Sequence, residues 1–519
     1  ATFVFGPGNI TSGKWYWEVT NTGGANGQRV GLASDPNGSQ GSSGTFFRGN
    51  VVSWFASNGY KKYTETMETS SGSYSTGDVY GVAYNADDDE IKYYKNGTLA
   101  LTDDTIPSAA TTELHIVVLA TNSGSNGWPV GSLNFGQRAF AHTPPTGYQT
   151  LCTANLPDTT IKKGSDHFGM LEYTGNQTTQ TVNGLSFNPD LIINSGCSGG
   201  GGGAAGTHNI VLDTVRGIAA DKMLVTNTAG VEGVEDGASY GYIIPATGGF
   251  QHQAGSHGTY PWSLMNYNGG YNFINWCWEG GSTVTNSTGS ITSQVNANAS
   301  AGFSIVTYTG TGSNATIGHG LGVAPDVLFV KNRGSGNRIW LVYHSANTAD
   351  PETEYLQLDD DPGTGDDNSA WNDTAPTSSV FSVGTSASSN NNSEGHVAYC
   401  WSEVAGYSKF GSYSGNGNAD GTFVYLGFKP AWVLIKRSNG TASWRIFDSK
   451  RNPFNDVDLN IETNTTTAEF ESSAYNALDF LSNGFKSRGT NADTATNGNG
   501  DTYVYMAFAE RPFKYANAR

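Results

Sequence analysis

Few residues in this chain have types and spacings that support bond-breaking chemistry. Gly-x-Ser-x-Gly occurs at Gly196–Gly200 and at Gly237–Gly241. That pattern serves a hydrolase when the serine sits on a strand-to-helix elbow and later loops deliver a histidine and an acid. Here the first copy runs into the tract Gly199–Gly203 with no helix signal behind it, and 69 glycines supply such matches by chance. Asp359, Asp360, Asp361, Asp366 and Asp367 form an acidic loop broken by Pro362 and Gly363. Clustered carboxylates suit calcium, which takes roughly six to eight oxygen ligands. Asp359, Asp361 and Asp366 are therefore the candidate metal ligands, but their spacing fails the EF-hand pattern and a solvated loop is the simpler reading. No cofactor is expected, calcium at this loop being the one exception.

The remaining reactive types are dispersed. His252 and His257 are the closest of the nine histidines, and no His-x-His exists. Cys152, Cys197, Cys277 and Cys400 form no Cys-x-x-Cys pair, which speaks against zinc or dithiol chemistry. Cys277 and Cys400 fall in equivalent apolar strands, where a third copy has Ala507, and read as small core residues. Glu279, Glu403 and Glu510 recur at strand ends, which suggests a repeated structural bond. Paired carboxylates for glycoside hydrolysis need a cleft, and an acidic chain offers many pairs. Aromatic side chains on Gly/Asn-rich loops are better candidates, because their faces stack on sugars and anchor protein interfaces. These are Trp54, Tyr60 and Trp128 on expected loops of the N-terminal module, and Tyr260, Trp262, Tyr267 and Tyr271 in a Gly-rich insertion.

The elements that must hold these residues are β-strands. With 519 residues the chain exceeds one core and implies several domains. Charged residues are only 14%, yet aromatics at 12% argue for ordered structure, since disordered chains lack the large apolar groups that offset ordering entropy. A net charge of −18 repels phosphate backbones, and no run of basic residues counters it, so nucleic acid is not an expected partner. No apolar run is long enough to span a membrane as a helix. The numbering opens at Ala1 without Met, so a leading segment could precede it.

In Lys14-Trp-Tyr-Trp-Glu-Val19, Trp15, Trp17 and Val19 share one face, with Tyr16 and Glu18 on the other. Asn96-Gly97 between Tyr94-Lys95 and Thr98 is a hairpin signal, because both positions tolerate positive φ. Gly13-Lys-Trp-Tyr-Trp-Glu18, Arg29-Val-Gly-Leu-Ala33, Gly77-Asp-Val-Tyr-Gly81 and Tyr94-Lys-Asn-Gly97 occur in the order and spacing of the SPRY (B30.2-like) family, which residues 1–140 resemble. The resemblance implies a concanavalin-like sandwich of two antiparallel sheets that binds ligands through loops at one edge. It carries no catalytic residues. The string Leu133–Phe140, Thr143–Tyr148 and Leu151–Pro157 looks like the ending of SPRY-like domains in bacteriophage structural proteins.

After residue 165 one stretch recurs three times. Tyr173-Thr-Gly returns at Tyr308 and as Tyr413-Ser-Gly. Pro189, Pro325 and Pro430 each open a run apolar on both faces, as in a strand covered on both sides. Alignment puts Asp213, His344 and Asp448 at one repeat position, and Phe250, Phe381 and Phe485 at another. The expected architecture is all-β: a SPRY-like jelly-roll sandwich over 1–145, a linker 146–165, then three related β-sandwich domains. These are unit one (166–281), a linker (282–301), unit two (302–404) and unit three (405–519). Gly318-His-Gly-Leu-Gly322 with Pro325-Asp326, Tyr399-Cys-Trp-Ser-Glu-Val-Ala-Gly-Tyr-Ser408 and Phe508–Arg519 resemble a C-terminal domain of phage virion proteins.

The resemblances imply a non-enzymatic virion surface protein, as a fibre, tail-associated or head-decoration component in an extracellular setting. Its expected partners are a host-surface glycan or protein and other virion proteins, in a homotrimer. Two alternatives are a secreted carbohydrate-binding or carbohydrate-active protein with accessory sandwiches, and a virion scaffold without a receptor.

Overall fold

The computed structural model describes residues 2–5, 12–23, 28–33, 51–56, 59–61, 75–108, 115–120, 130–150, 155, 158–198, 208–218, 222–233, 241–256, 265–266, 271–334, 336–471, 476–490, 494–512 and 514. The chain divides into two compact units, Ala1–Asp158 and Thr159–Arg519.

The first unit contains a five-stranded sheet in the order Thr2–Phe5, His115–Ala120, Gln28–Ala33, Val51–Ala56, Gly59–Lys61. Its other sheet runs Val130–Asn134, Lys14–Gly23, Val79–Asn85, Glu90–Lys95, Thr98–Asp103. Trp15, Trp17 and Val19 lie in the core, as their alternation requires. Tyr16 and Glu18, on the opposite face, are buried too. The Phe140 ring meets Tyr16 edge-on at 5.0 Å, and Glu18 accepts from the backbone N–H groups of Ala141 (2.7 Å) and His142 (2.9 Å). Asn96 and Gly97 take φ of 49° and 79°, as the hairpin between their strands demands. The strand Gln149–Thr150 pairs in parallel with Lys14–Gly23. Part of the expected linker 146–165 is therefore sheet.

In the second unit each repeat builds the same main sheet. The order is an opening strand, the closing strand, the proline strand and two shorter ones. Unit one uses Phe168–Thr174, Asn272–Trp278, Leu191–Ser198, Ile210–Asp213 and Leu224–Val225. Unit two uses Phe303–Thr309, Gly395–Trp401, Val327–Asn332, Leu341–His344 and Glu354–Gln357. Unit three uses Ser408–Ser414, Thr502–Pro512, Phe428–Arg437, Arg445–Asp448 and Leu459–Glu462. A small second sheet faces each main sheet. Its matching cross-strand pairs are Val182 with Phe250, Ile317 with Phe381 and Val424 with Phe485.

The proline strands are apolar on both faces because each face has its own core. Leu328 and Val330 pack under unit two's small sheet, and Val433 and Ile435 under that of unit three. The alternate residues Val327, Phe329, Trp432 and Leu434 join one central cluster with Trp276, Trp278, Trp401 and Phe508. The three sandwiches thus share a common core through the outer faces of their main sheets.

The expected linker 282–301 is also structured. Thr283–Asn286 and Ser293–Asn298 form a hairpin that adds two strands beside Phe303–Thr309. Its Ser/Thr/Asn composition hides an alternation that buries Ser293 and Val295 and exposes Gln294.

Candidate functional site

The units meet through two rings of polar contacts, each of which closes on itself. In the first, a side chain before or at the fourth strand reaches the backbone at the end of a neighbour's fifth strand. Trp340 Nε1 of unit two donates to the Val225 carbonyl of unit one at 2.9 Å, and Trp444 Nε1 of unit three donates to the Gln357 carbonyl of unit two at 2.6 Å. Asn209 Nδ2 of unit one donates to the Glu462 and Thr463 carbonyls of unit three at 2.9 and 3.1 Å. The second ring joins closing strands to the position shared by Asp213, His344 and Asp448. Tyr399 Oη donates to Asp213 Oδ2 at 2.7 Å and Trp276 Nε1 to Asp448 Oδ2 at 3.3 Å. His344 Nε2 lies 3.0 Å from the Tyr505 carbonyl, to which it donates as the Nε2–H tautomer.

Buried cations complete two of these junctions. Arg216 bonds Asp213 and, at 2.8 Å, Glu232; Arg451 bonds Asp448 at 2.6 Å and Glu469 at 2.9 Å. The adjacent carboxylates outweigh the desolvation of both guanidiniums and hold their pKa values above the usual arginine value. Unit two has Asn347 in the arginine position and a neutral imidazole in place of the carboxylate. Burial pushes the His344 pKa down to about 4. At the meeting point of the units, a cavity of about 20 Å³ is lined by Trp276, Trp278, Phe329, Trp401 and Trp432 among others. That is room for one water. The junctions hold the units together and offer no opening to a substrate.

The Tyr-Thr/Ser-Gly motif is structural as well. The hydroxyls of Tyr173, Tyr308 and Tyr413 donate to the carbonyls of Met265, Ser389 and Thr496, and the following asparagines Asn266, Asn390 and Asn497 accept from the motif's turn. The repeated carboxylate bond belongs to Asp190 and Asp326, not to the strand-end glutamates. Asp190 Oδ2 accepts from Gly280 N at 2.9 Å and Asp326 Oδ2 from Glu403 N at 2.8 Å. Glu279 instead bonds His167, and Glu510 pairs with Lys429. Cys277 and Cys400 are buried free thiols, raised by desolvation well above the usual thiol range.

Among the described residues, the other expected site residues do not meet at one place. Trp54 and Tyr60 lie on strands, Val51–Ala56 and Gly59–Lys61, and not on loops. Trp128, Tyr260, Trp262 and Tyr267 fall outside the described residues. Tyr271 is half-buried, and its carbonyl accepts from Gly175 N. In the acidic loop, Asp359 accepts from Trp340 N at 3.0 Å, and burial raises its pKa to about 6. The Asp361 carbonyl accepts from Lys436 Nζ at 3.1 Å, while Asp366 pairs with Glu354 in a two-residue strand. Among the described residues no three His, Cys, Asp or Glu side chains converge as metal ligands.

Among the described residues, a groove opens to solvent where the start of unit one meets unit three. One depression of about 250 Å³ is lined by Lys163, Lys450, Glu510 and Arg511 among others. A neighbouring one of about 240 Å³ is lined by Lys429, Asn452, Phe454 and Asn455 among others. Ser449 lines both. Lys429 has a buried side chain that pairs with Glu510. Lys163 holds Asp166 at 3.0 Å with both side chains about half exposed. Lys450 and Arg511 are exposed and have no side-chain partner among the described residues. Phe454 is 73% exposed at the rim. The sequence has no basic run because these cations come from distant positions; Lys162-Lys163, Lys450-Arg451 and Arg511 are its only trace.

The sequence profile of a family described as a domain of unknown function (DUF7483) matches residues 163–512, and that of the SPRY domain matches residues 14–132. No curated protein matches the chain.

Proposed function

This chain belongs to the DUF7483 domain family and carries a SPRY domain ahead of that region, and from that premise we propose that it is a non-enzymatic surface protein of a bacteriophage virion that adheres to a host-surface glycan or protein. The observation that carries the reading is the use of the buried charges. Asp213 and Asp448, each paired with a buried arginine, accept from Tyr399 and Trp276 of neighbouring sandwiches and so join them into one body, while Lys163, Lys450 and Arg511 line an open groove. Such a body suits presentation of a surface. SPRY domains are binding modules, and the motifs at 133–157, 318–326, 399–408 and 508–519 resemble phage virion proteins. Contacts with other virion proteins and a homotrimer belong to the same reading.

Two measurements test it. Antibody to the purified chain is expected to label intact particles by electron microscopy, and the labelled chain to bind host cells saturably. Particles without label would overturn the virion assignment. New reducing ends from host polysaccharide would overturn the non-enzymatic one.

A further inference from the structure

We infer that the groove between units one and three binds an acidic saccharide, the carboxylate or sulfate groups on Lys163, Lys450 and Arg511 and a sugar face on Phe454. The inference rests on the adhesion reading and names its ligand class and its site. The first ground is charge. A chain of net charge −18 places three exposed cations around one depression. Only Lys163 among them has a recorded carboxylate partner, and that pair is exposed. Isolated surface lysines are ordinary, but like charges gathered in a concavity repel one another and raise the local potential, which an anionic ligand relieves.

The second ground is the adjoining depression. Phe454 stands 73% exposed there beside Asn452 and Asn455. An exposed aromatic face offers apolar area that a sugar's C–H face can cover. The third is rigidity. Asn455 Nδ2 donates to the Phe480 carbonyl at 3.1 Å and its Oδ1 accepts from Phe480 N at 2.8 Å, while Asn452 Oδ1 accepts from Leu459 N at 2.7 Å. The loop bearing Phe454 is thus tied down on both sides. The Lys429–Glu510 pair joins the two depressions and holds the carboxylate that lines the first. A nucleic acid would bring its phosphates against the acidic remainder of the surface, whereas a short acidic saccharide meets only the groove.

The test uses the full chain in titration calorimetry with four probes of matched length: an oligogalacturonate, a chondroitin sulfate oligosaccharide, a neutral dextran and a single-stranded oligonucleotide. Binding of one or both acidic saccharides is expected, weakening as salt rises, with no heat from dextran. The two acidic probes distinguish carboxylate from sulfate. Lys450→Glu and Arg511→Glu are each expected to weaken binding about tenfold or more, and Phe454→Ala to weaken it with the salt slope unchanged. The control Lys14→Glu in the SPRY unit should bind as wild type. All four positions are exposed or partly so, and unchanged melting curves would verify folding. Dextran binding as well as the acidic probes, tighter binding of the oligonucleotide, unaltered affinity of the groove variants, or no binding to either acidic probe would each overturn the inference. Host-cell binding separates the two levels. Cells bound equally by wild type and Arg511→Glu would leave the adhesion reading standing and this site refuted. Cells not bound by wild type would refute adhesion itself.

Discussion

The Tyr399 hydroxyl of unit two donates to the Asp213 carboxylate of unit one at 2.7 Å, across 186 positions of sequence. Behind that carboxylate lies Arg216, whose side chain is fully buried. Removing the hydroxyl deletes that bond and the one it accepts from Arg216 Nη2 at 3.2 Å, but leaves the buried charges paired. Removing the carboxylate leaves a guanidinium in the interior with only Glu232 as its counter-charge.

Tyr399→Phe is therefore expected to cost about 1–2 kcal/mol, and Asp213→Ala about 3–5 kcal/mol. Urea unfolding of both variants measures the difference. Equal costs would show that the junction is not organised around the buried arginine.

The shared core predicts cooperativity. A fragment spanning 302–404 would expose Val327, Phe329, Tyr399 and Trp401, which the neighbouring units cover. It is expected to lack near-ultraviolet dichroism and to be digested quickly, whereas 159–519 should unfold in a single transition. A stable isolated unit two would contradict the common core.

Acid should loosen the second unit. Burial lowers the pKa values of His252, His344 and His396 to about 4. The unfolded chain, titrating near 6.5, then binds more protons between those values. Stability is present in full above about pH 6.5 and falls as pH drops toward 4, each imidazole contributing on the order of 3 kcal/mol. Asp359, raised to about 6, acts in the opposite direction over part of that window, but three histidines outweigh it. Melting temperature against pH checks the slope, and His344→Gln should flatten it. A profile unchanged by that substitution would exclude His344 as a contributor.

In the SPRY unit, Glu18 is the buried acceptor that fastens residues 140–142 to the strand Lys14–Gly23. Glu18→Ala strands two backbone donors and is expected to cost about 2–4 kcal/mol, with faster amide exchange at Ala141 and His142. Exchange unchanged at those two amides would refute the tether.

The strands were legible wherever a periodic apolar signal was local. Trp15, Trp17 and Val19, the three proline strands and the positions of Phe250, Phe381 and Phe485 all follow from it. The runs apolar on both faces also implied covering on both sides, but not by what, because the cover comes from other repeats. The junction residues Asp213, His344 and Asp448 could be aligned in sequence, yet their partners lie in different units and no spacing rule connects them. Residues 283–298 carry no apolar strand signal, because polar side chains can fill a sheet edge when each finds a hydrogen bond. Asn296, for example, is shared between Gly281 and Asp190. The groove was invisible for the same reason as the junctions: Lys163 and Arg511 become neighbours only after the first and last units close on one another.

That closure packs the turn before the opening strand of the second unit against its final strand. A Cβ on Gly164 would sit 2.1 Å from the Ala509 carbonyl, and Phe168 stacks on Phe508 at 5.1 Å. Tension applied between these two ends would bear first on the seam between units one and three. Resistance to such pulling would then depend on the geometry of that seam and not only on the folding free energy of the whole body.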